Sequence, residues 1–414
     1  MKDLRVRLSL TLMVAAAFMI GGKVYGSESD AVVISNNIQQ RHLPYDTILD
    51  PIFSSPDSDQ IVGYAKAGDS AIWTGHYLAA ESFRYRVTGS PEALANVRRA
   101  IAGIRALIDI TGTNLLARCL FPVDSEYVQA IINEEGRHGI YRNYLNGREY
   151  YWIGNTSRDQ YSGIFFGFGV AYDMVENIEV RSEISSLSTR LLDFLLANDW
   201  FVVMPDGSIS TTFITNPDQR LSFLIFGRRV NPSRFRSTYE NERLRNFGIV
   251  GTAIYYDLLD DHSSYFKFNL DTINLFNLIR LEGNFIFRSS YRNVYDVLRR
   301  TTDDHGNAHF NMIDRALKGP DGSRDAETRD LLQQWLQRPR RDLPRDLRGD
   351  PRYPPCGFDR ACYAIAVADR VNTDFLWQRS PFLLFGGGSG TIETAGIDYI
   401  LPYWMARYYG VIQD

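Results

Sequence analysis

Lysine is almost missing from this 414-residue chain: only Lys2, Lys23, Lys66, Lys267 and Lys318 occur, and every other basic residue is arginine. A GC-rich genome accounts for that bias, and arginine-based recognition of carboxylates is compatible with it. Cysteine is scarce too, with three residues and no Cys-x-x-Cys spacing, so a cysteine zinc site is excluded. There is no Gly-x-Ser-x-Gly elbow and no dinucleotide fingerprint. Gly386-Gly387-Gly388-Ser389-Gly390 lacks the Lys-Ser/Thr ending and preceding strand of a phosphate loop, and reads as a tight turn or lid. His305 and His309 have i, i+4 spacing beside Asp303 and Asp304, but Gly306-Asn307 disfavours the helix that zinc ligation would need. Neither a metal nor a cofactor is expected.

Long apolar runs are confined to the start. Lys2, Arg5 and Arg7 precede a mostly apolar stretch over 8–22, and Val24 and Gly26 suit a cleavage site. Residues 1–26 therefore read as a signal peptide, with an uncleaved anchor as the alternative. The protein is expected to be periplasmic or secreted, without stable membrane insertion after cleavage. The remaining 388 residues suffice for a sizeable core, divided into an N-terminal extended segment over 27–65 and a single domain over 66–414. The overall charge is −4; losing the net +3 of the first 26 residues leaves about −7. That argues against general binding to nucleic acid or acidic membranes. Oligomeric state is not encoded. Cys356 and Cys362 bracket a short loop and suit a local disulfide in an exported protein, two reduced thiols being the alternative. Cys119 is then unpaired and buried.

What is present is helical periodicity. Residues 70–87 carry apolar groups at helical spacing, and Thr88-Gly89-Ser90-Pro91 supplies a stop, a cap and a first-turn proline. The next helix, 91–110, carries the stripe Leu94, Val97, Ile101, Ile104, Leu107 and Ile108. The same grammar gives 161–176 with 181–198, then 240–260 with 268–281, then 285–300 with 310–317, and further helix at 326–337 and 395–409. About eleven helices joined by turns argue for helical hairpins in a ring, an all-α (α/α)6 toroid. Long loops span 113–157, 199–217 and 338–392; the second reads as a β-hairpin, Phe201–Met204 with Ser210–Ile214. Gly163, Gly167 and Gly169 among phenylalanines suit close helix approach.

Asp69, Trp73, His76 and Tyr77 fall at i, i+4, i+7 and i+8, one face of a helix. A carboxylate, an aromatic plate and an imidazole on one stripe can bind and protonate a sugar; the competing reading is an N-capping Asp above a buried face. Asp159, between Arg158 and Gln160-Tyr161, occupies the same relative place in another hairpin. Two carboxyls at one cleft are what glycoside chemistry requires, one protonated and one ionised. In the loop around Asp374, Trp377 and Arg379, Arg379 can hold a carboxylate in bidentate fashion and Trp377 can stack on a sugar. Glu393 and Asp398 are further acidic candidates. In each of these a capping, packed or solvated side chain is the alternative.

The Trp73-Thr74-Gly75 helix, the Tyr85–Pro91 stretch and the Asp159–Gly163 opening resemble the six-hairpin glycosidase-like, (α/α)6-toroid superfamily, unsaturated glucuronyl hydrolases in particular. The resemblance spans roughly 65–410 and implies aspartates at helix ends as catalytic groups. On it, Asp159 is the expected general acid, Asp69 its partner, and His76 and Arg158 tune protonation. Trp73, Tyr77, Tyr161, Asp374, Trp377, Arg379 and Glu393 are expected to hold an oligosaccharide or polysaccharide. A uronate lyase using Tyr161 or His76 as base, and a non-catalytic glycan-binding or envelope protein, are the alternatives.

Overall fold

Several helices in this chain begin in ordinary capping chemistry. The computed structural model describes residues 26–259 and 264–413; the expected signal peptide lies almost wholly outside them. The first helix, α1 (Glu28–Asn37), starts in a capping box in which Ser27 and Asp30 satisfy each other's backbone N–H groups. After a β-hairpin, β1 (Asp50–Phe53) with β2 (Ile61–Ala65), comes α2 (Ser70–Thr88), closed by Gly89 at φ +65°. Ser90 caps α3 (Pro91–Asp109), whose stripe is buried as its spacing predicts from Val97 onward, with Leu94 half-buried.

The long 113–157 loop is ordered and carries regular elements that periodicity did not assign. It holds β3 (Cys119–Pro122), a short helix α4 (Val128–Glu135), β4 (Ile140–Leu145) and β5 (Arg148–Ile153), in a sheet of order β3-β5-β4. Then follow α5 (Arg158–Met174) and α6 (Ile178–Ala197), and the expected hairpin, β6 (Phe201–Val203) with β7 (Ile209–Thr212). Next come α7 (Pro217–Val230), α8 (Pro232–Arg245) and the short α9 (Thr252–Asp257). The chain ends with α10 (Phe266–Leu281), α11 (Phe285–Thr301), α12 (Ala308–Lys318), α13 (Gly322–Leu336), a two-residue pair β8 (Arg345–Asp346) and β9 (Phe385–Gly386), and α14 (Ile397–Tyr408).

Contacts among these helices close a ring. α2 packs on α5, α5 on α7, α7 on α10, α10 on α12, α12 on α14, and α14 back on α2. Each has an outer partner: α3, α6, α8, α11 and α13 follow their inner helices in sequence, and α1 backs α14. That is an (α/α)6 toroid. Two pairings differ from the periodicity reading. The 240–260 stretch is not one helix, since it breaks between Arg245 and Thr252, where Gly248 takes φ +86°. The inner helix α7 stands before it, so 266–281 pairs with 285–301, and 308–318 with 322–336. Among the described residues no helix is long and apolar enough to cross a membrane.

The α2–α5 crossing runs on glycine. A Cβ on Gly75 would lie 2.1 Å from the Gly163 carbonyl oxygen, and one on Gly167 would lie 2.3 Å from that of Gly75. Cys356 and Cys362 form the expected disulfide, beside a small core of Leu347, Tyr353, Ala361, Ile365 and Leu384. Cys119 is buried and unpaired, its thiol pushed up to about 12 by burial. The glycine run at 386–390 bends away from β9 with positive φ at Gly387 and Gly390, and the Asp342 carboxylate lies against Gly388.

Candidate active site

Alternating inner and outer helices leave the starts of the inner helices to the long loops, and hydrogen bonds knit several of those starts together. Asp69 is the residue before α2 and Asp159 is the second residue of α5; neither side chain caps its helix. The competing interpretation of both as N-caps therefore fails, and the carboxyls are left for other partners. The Gln160 amide donates to Asp69 Oδ1 at 3.3 Å while its oxygen accepts from the Ile72 N–H at 2.9 Å, so α5 fixes the mouth of α2. Arg118, from the 113–157 loop, reaches to 3.9 Å from Asp69 Oδ1 and donates to the carbonyls of Gly68 and Asn155.

The two carboxyls influence each other. Burial, then the neighbouring Asp69 charge, raises Asp159 to about 6, against the pull of Arg118 and Arg158. Asp69 is also raised, by desolvation first, with Asp374 and Glu135 adding to it and Arg118 opposing, although 41% of its side chain meets solvent. Arg158 turns from this pair to hydrogen-bond Asn216 at the start of α7. There it enters a cavity of about 580 Å³ lined also by Pro217, Asn246, Tyr256 and Asp257. The exposed Tyr256 ring supplies an aromatic wall.

On the other flank, Lys66 Nζ binds Asp374 Oδ1 at 2.6 Å and Asp50 at 3.4 Å, and Arg379 Nε binds Asp374 Oδ2 at 2.5 Å. Asp374 is thus a bridge between two cations, while the Arg379 side chain remains 56% exposed. The remaining candidates are buried. Trp377 is fully buried and stacks on His76 at 5.2 Å, with Trp73 and Phe375 beside them. Tyr77 accepts from Gln39 Nε2 at 2.6 Å and Tyr161 from the Leu116 N–H at 3.3 Å, both at zero exposure. Glu393 sits among Asn37, His42 and Arg340; these outweigh its burial and hold it down to about 2.

His76 needs correction. Its Nδ1 lies 2.9 Å from the Ile72 carbonyl, which fixes a proton there, and its Nε2 then accepts from Asn269. Burial lowers it to about 4, so near neutral pH it is an uncharged core imidazole. It does not tune the aspartates: the charges around them are those of Arg118, Arg158, Glu135 and Asp374.

Periodicity missed several site residues. Glu135 accepts the Gly68 N–H at 2.8 Å, positioning the backbone just before Asp69, and its other oxygen lies 2.6 Å from His138 Nδ1. No described residue bonds His138 Nε2, and the ring is 19% exposed. Asp218 of α7 and Asp271 of α10 are also buried; desolvation raises both, the Asp257 charge adds to Asp218, and the Asp218 and Asp257 charges add to Asp271. Among the described residues, no group of three or more histidine, cysteine or carboxylate side chains is arranged to hold a metal ion.

No family model matches the chain, and no curated protein matches it. Among solved structures, the cellobiose 2-epimerase from Spirochaeta thermophila DSM 6192 is similar over 93% of this chain and 98% of its own, at 10% identity and a TM-score of 0.43. The assignment of the toroid rests on the helix contacts of this chain itself.

Proposed function

We propose that this protein is an exported carbohydrate-active enzyme, a glycoside hydrolase whose general acid is Asp159 and whose ionised partner is Asp69. One observation carries the reading: two carboxyls from neighbouring inner helices share one mouth, and the charge of Asp69 raises the proton affinity of Asp159. Asp159 is held protonated up to about pH 6 by burial and by Asp69. Burial raises Asp69 too, and Arg118 and the Gln160 amide pull it back towards the carboxylate. An acid that keeps its proton into the working pH range beside a charged partner is what glycosidic cleavage needs. The cavity beyond Arg158 has the size of a sugar subsite, with Tyr256 to stack and Asn216 and Asp257 to hydrogen-bond hydroxyls. Arg379 offers a guanidinium at the opposite rim.

The test is incubation of the purified protein with neutral and uronate-containing oligosaccharides, reading reducing-end release and the absorbance of unsaturated products together. Release that disappears in Asp159→Asn supports the hydrolase. Binding without turnover, unchanged by Asp69→Asn and Asp159→Asn, replaces it with a glycan-binding protein. A second reading is favoured by His138, whose ring is oriented by Glu135 and reaches solvent beside Arg118. A uronate lyase wants such a base with an arginine to neutralise the carboxylate. Unsaturated product abolished by His138→Gln would establish that chemistry instead.

A further inference from the structure

Behind the loop that carries Asp374 and Trp377 is a small cavity of about 10 Å³, lined by Arg338, Arg370 and Arg379 together with Val371, Phe375 and Ser380. Its charge is unbalanced. Arg379 has Asp374, which it shares with Lys66. Arg338 has Asp398 at 3.5 Å, and that carboxylate also accepts the Leu376 N–H. Arg370 has no acid: Nε donates to the Ile365 carbonyl, one terminal nitrogen to Gly306 and the other to His305. All three are neutral acceptors, and no described carboxylate pairs with it. The Arg338 Nε is buried and also has no partner. Both side chains are more than nine-tenths buried.

A buried guanidinium with only carbonyl partners bears a desolvation cost that nothing of opposite charge offsets. Burial lowers Arg370 only to about 10, so it keeps its charge at neutral pH. The guest that would balance it must be negative and compact, a single ion somewhat larger than a water molecule, since the cavity is small. Carboxylate, phosphate and sulfate groups are too large.

We propose that this cavity binds one chloride ion, held between the Arg338 Nε–H and the Arg370 guanidinium. The ion supplies the missing negative charge and fixes the 370–383 segment against the start of α14. That segment presents Asp374 to Lys66, so the halide steadies the rim beside Asp69 without touching substrate. The inference is independent of the reaction proposed above.

The test compares thermal unfolding in sodium chloride and sodium gluconate at constant ionic strength, and crystals grown in bromide. The expected result is a saturable upward shift of about 2–4 °C with chloride or bromide. It comes with a bromide anomalous peak between Arg338 and Arg370, and Arg370→Met abolishes the shift. Should that variant not fold, the bromide map on the unaltered protein decides alone. Equal melting in both salts, or a water with no anomalous signal at this position, overturns the proposal.

Discussion

Gly75→Ala is the sharpest test of the way the ring is closed. In an exposed helix this change stabilises by about 1 kcal/mol, because alanine loses less backbone entropy. Here the new methyl would stand 2.1 Å from the Gly163 carbonyl oxygen, 2.4 Å from its carbon and 2.9 Å from the Ile164 nitrogen. All three are backbone atoms of α5, so no rotamer change relieves the contact. An ordinary separation of about 3.4 Å requires the helices to part by about 1.3 Å, which opens the buried face that Ile72 and Tyr161 help to fill. Overpacking against a rigid neighbour costs about 1–3 kcal/mol and sometimes more. After the propensity gain, and with dispersion lost along the crossing, the net expectation is destabilisation by about 2–4 kcal/mol. Gly227→Ala is the control. The nearest atoms to its Cβ are the flexible end of Leu192 and the Phe235 ring, and its expected loss stays below about 1.5 kcal/mol. Urea unfolding monitored by tryptophan fluorescence measures both. A Gly75→Ala protein no less stable than its Gly227→Ala counterpart refutes the glycine-contact account.

Other consequences concern protons and covalent bonds. Asp159 loses its proton as pH rises through about 6, so hydrolysis by it as an acid declines above that pH; Asp69→Asn removes the second-largest cause of the shift and moves that limb of the pH–rate profile downward, by less than about one unit. His76 is held neutral with its affinity lowered to about 4, so its contribution is present above about pH 6.5 and lost as pH falls towards 4. That loss is about 3 kcal/mol, and denaturant midpoints at pH 7 and 4.5 should converge in His76→Gln relative to the unaltered protein. Replacing Cys356 and Cys362 by serine opens a loop of sequence separation 6 and should cost about 2 kcal/mol, visible first as faster proteolysis around Tyr353–Tyr363.

The parts of the molecule legible in sequence are those where one face of an element meets water. The α3 stripe is an example, with Val97, Ile101, Ile104 and Leu107 buried and Arg98 and Arg105 outside. The helix α7 escaped because it is buried on nearly every side, from Leu221 through Gly227, and a helix surrounded by others shows no amphipathic period. The same fact explains the aromatic stripe. Trp73, His76 and Tyr77 share a face of α2, but every face of an inner helix is enclosed, so periodicity could not distinguish lining a cleft from filling the ring. Asp69 and Asp159 were legible because a carboxylate at the point where helical spacing begins is a local signal. Arg118, Glu135 and His138 reach the same mouth through strand and loop geometry that no local pattern encodes. A basic residue flanking β3, or the Gly136–Gly139 turn next to His138, offered no hint of which partner each would meet.

The helix that completes the outer layer is the first one. α1 lies against α14, its Ala31 and Ile34 buried there, and Glu28 meets Arg407 at 2.8 Å. The hoop is thus fastened by elements roughly 360 residues apart in sequence. Five hairpins can assemble from near neighbours, but the sixth has to wait for the last helix to form, so hoop closure is the most non-local event in folding. Until then α14 offers a bare apolar flank, the surface a folding helper would shield. A circular permutant that joins the two ends through a short linker would turn this slowest step into the making of one more hairpin.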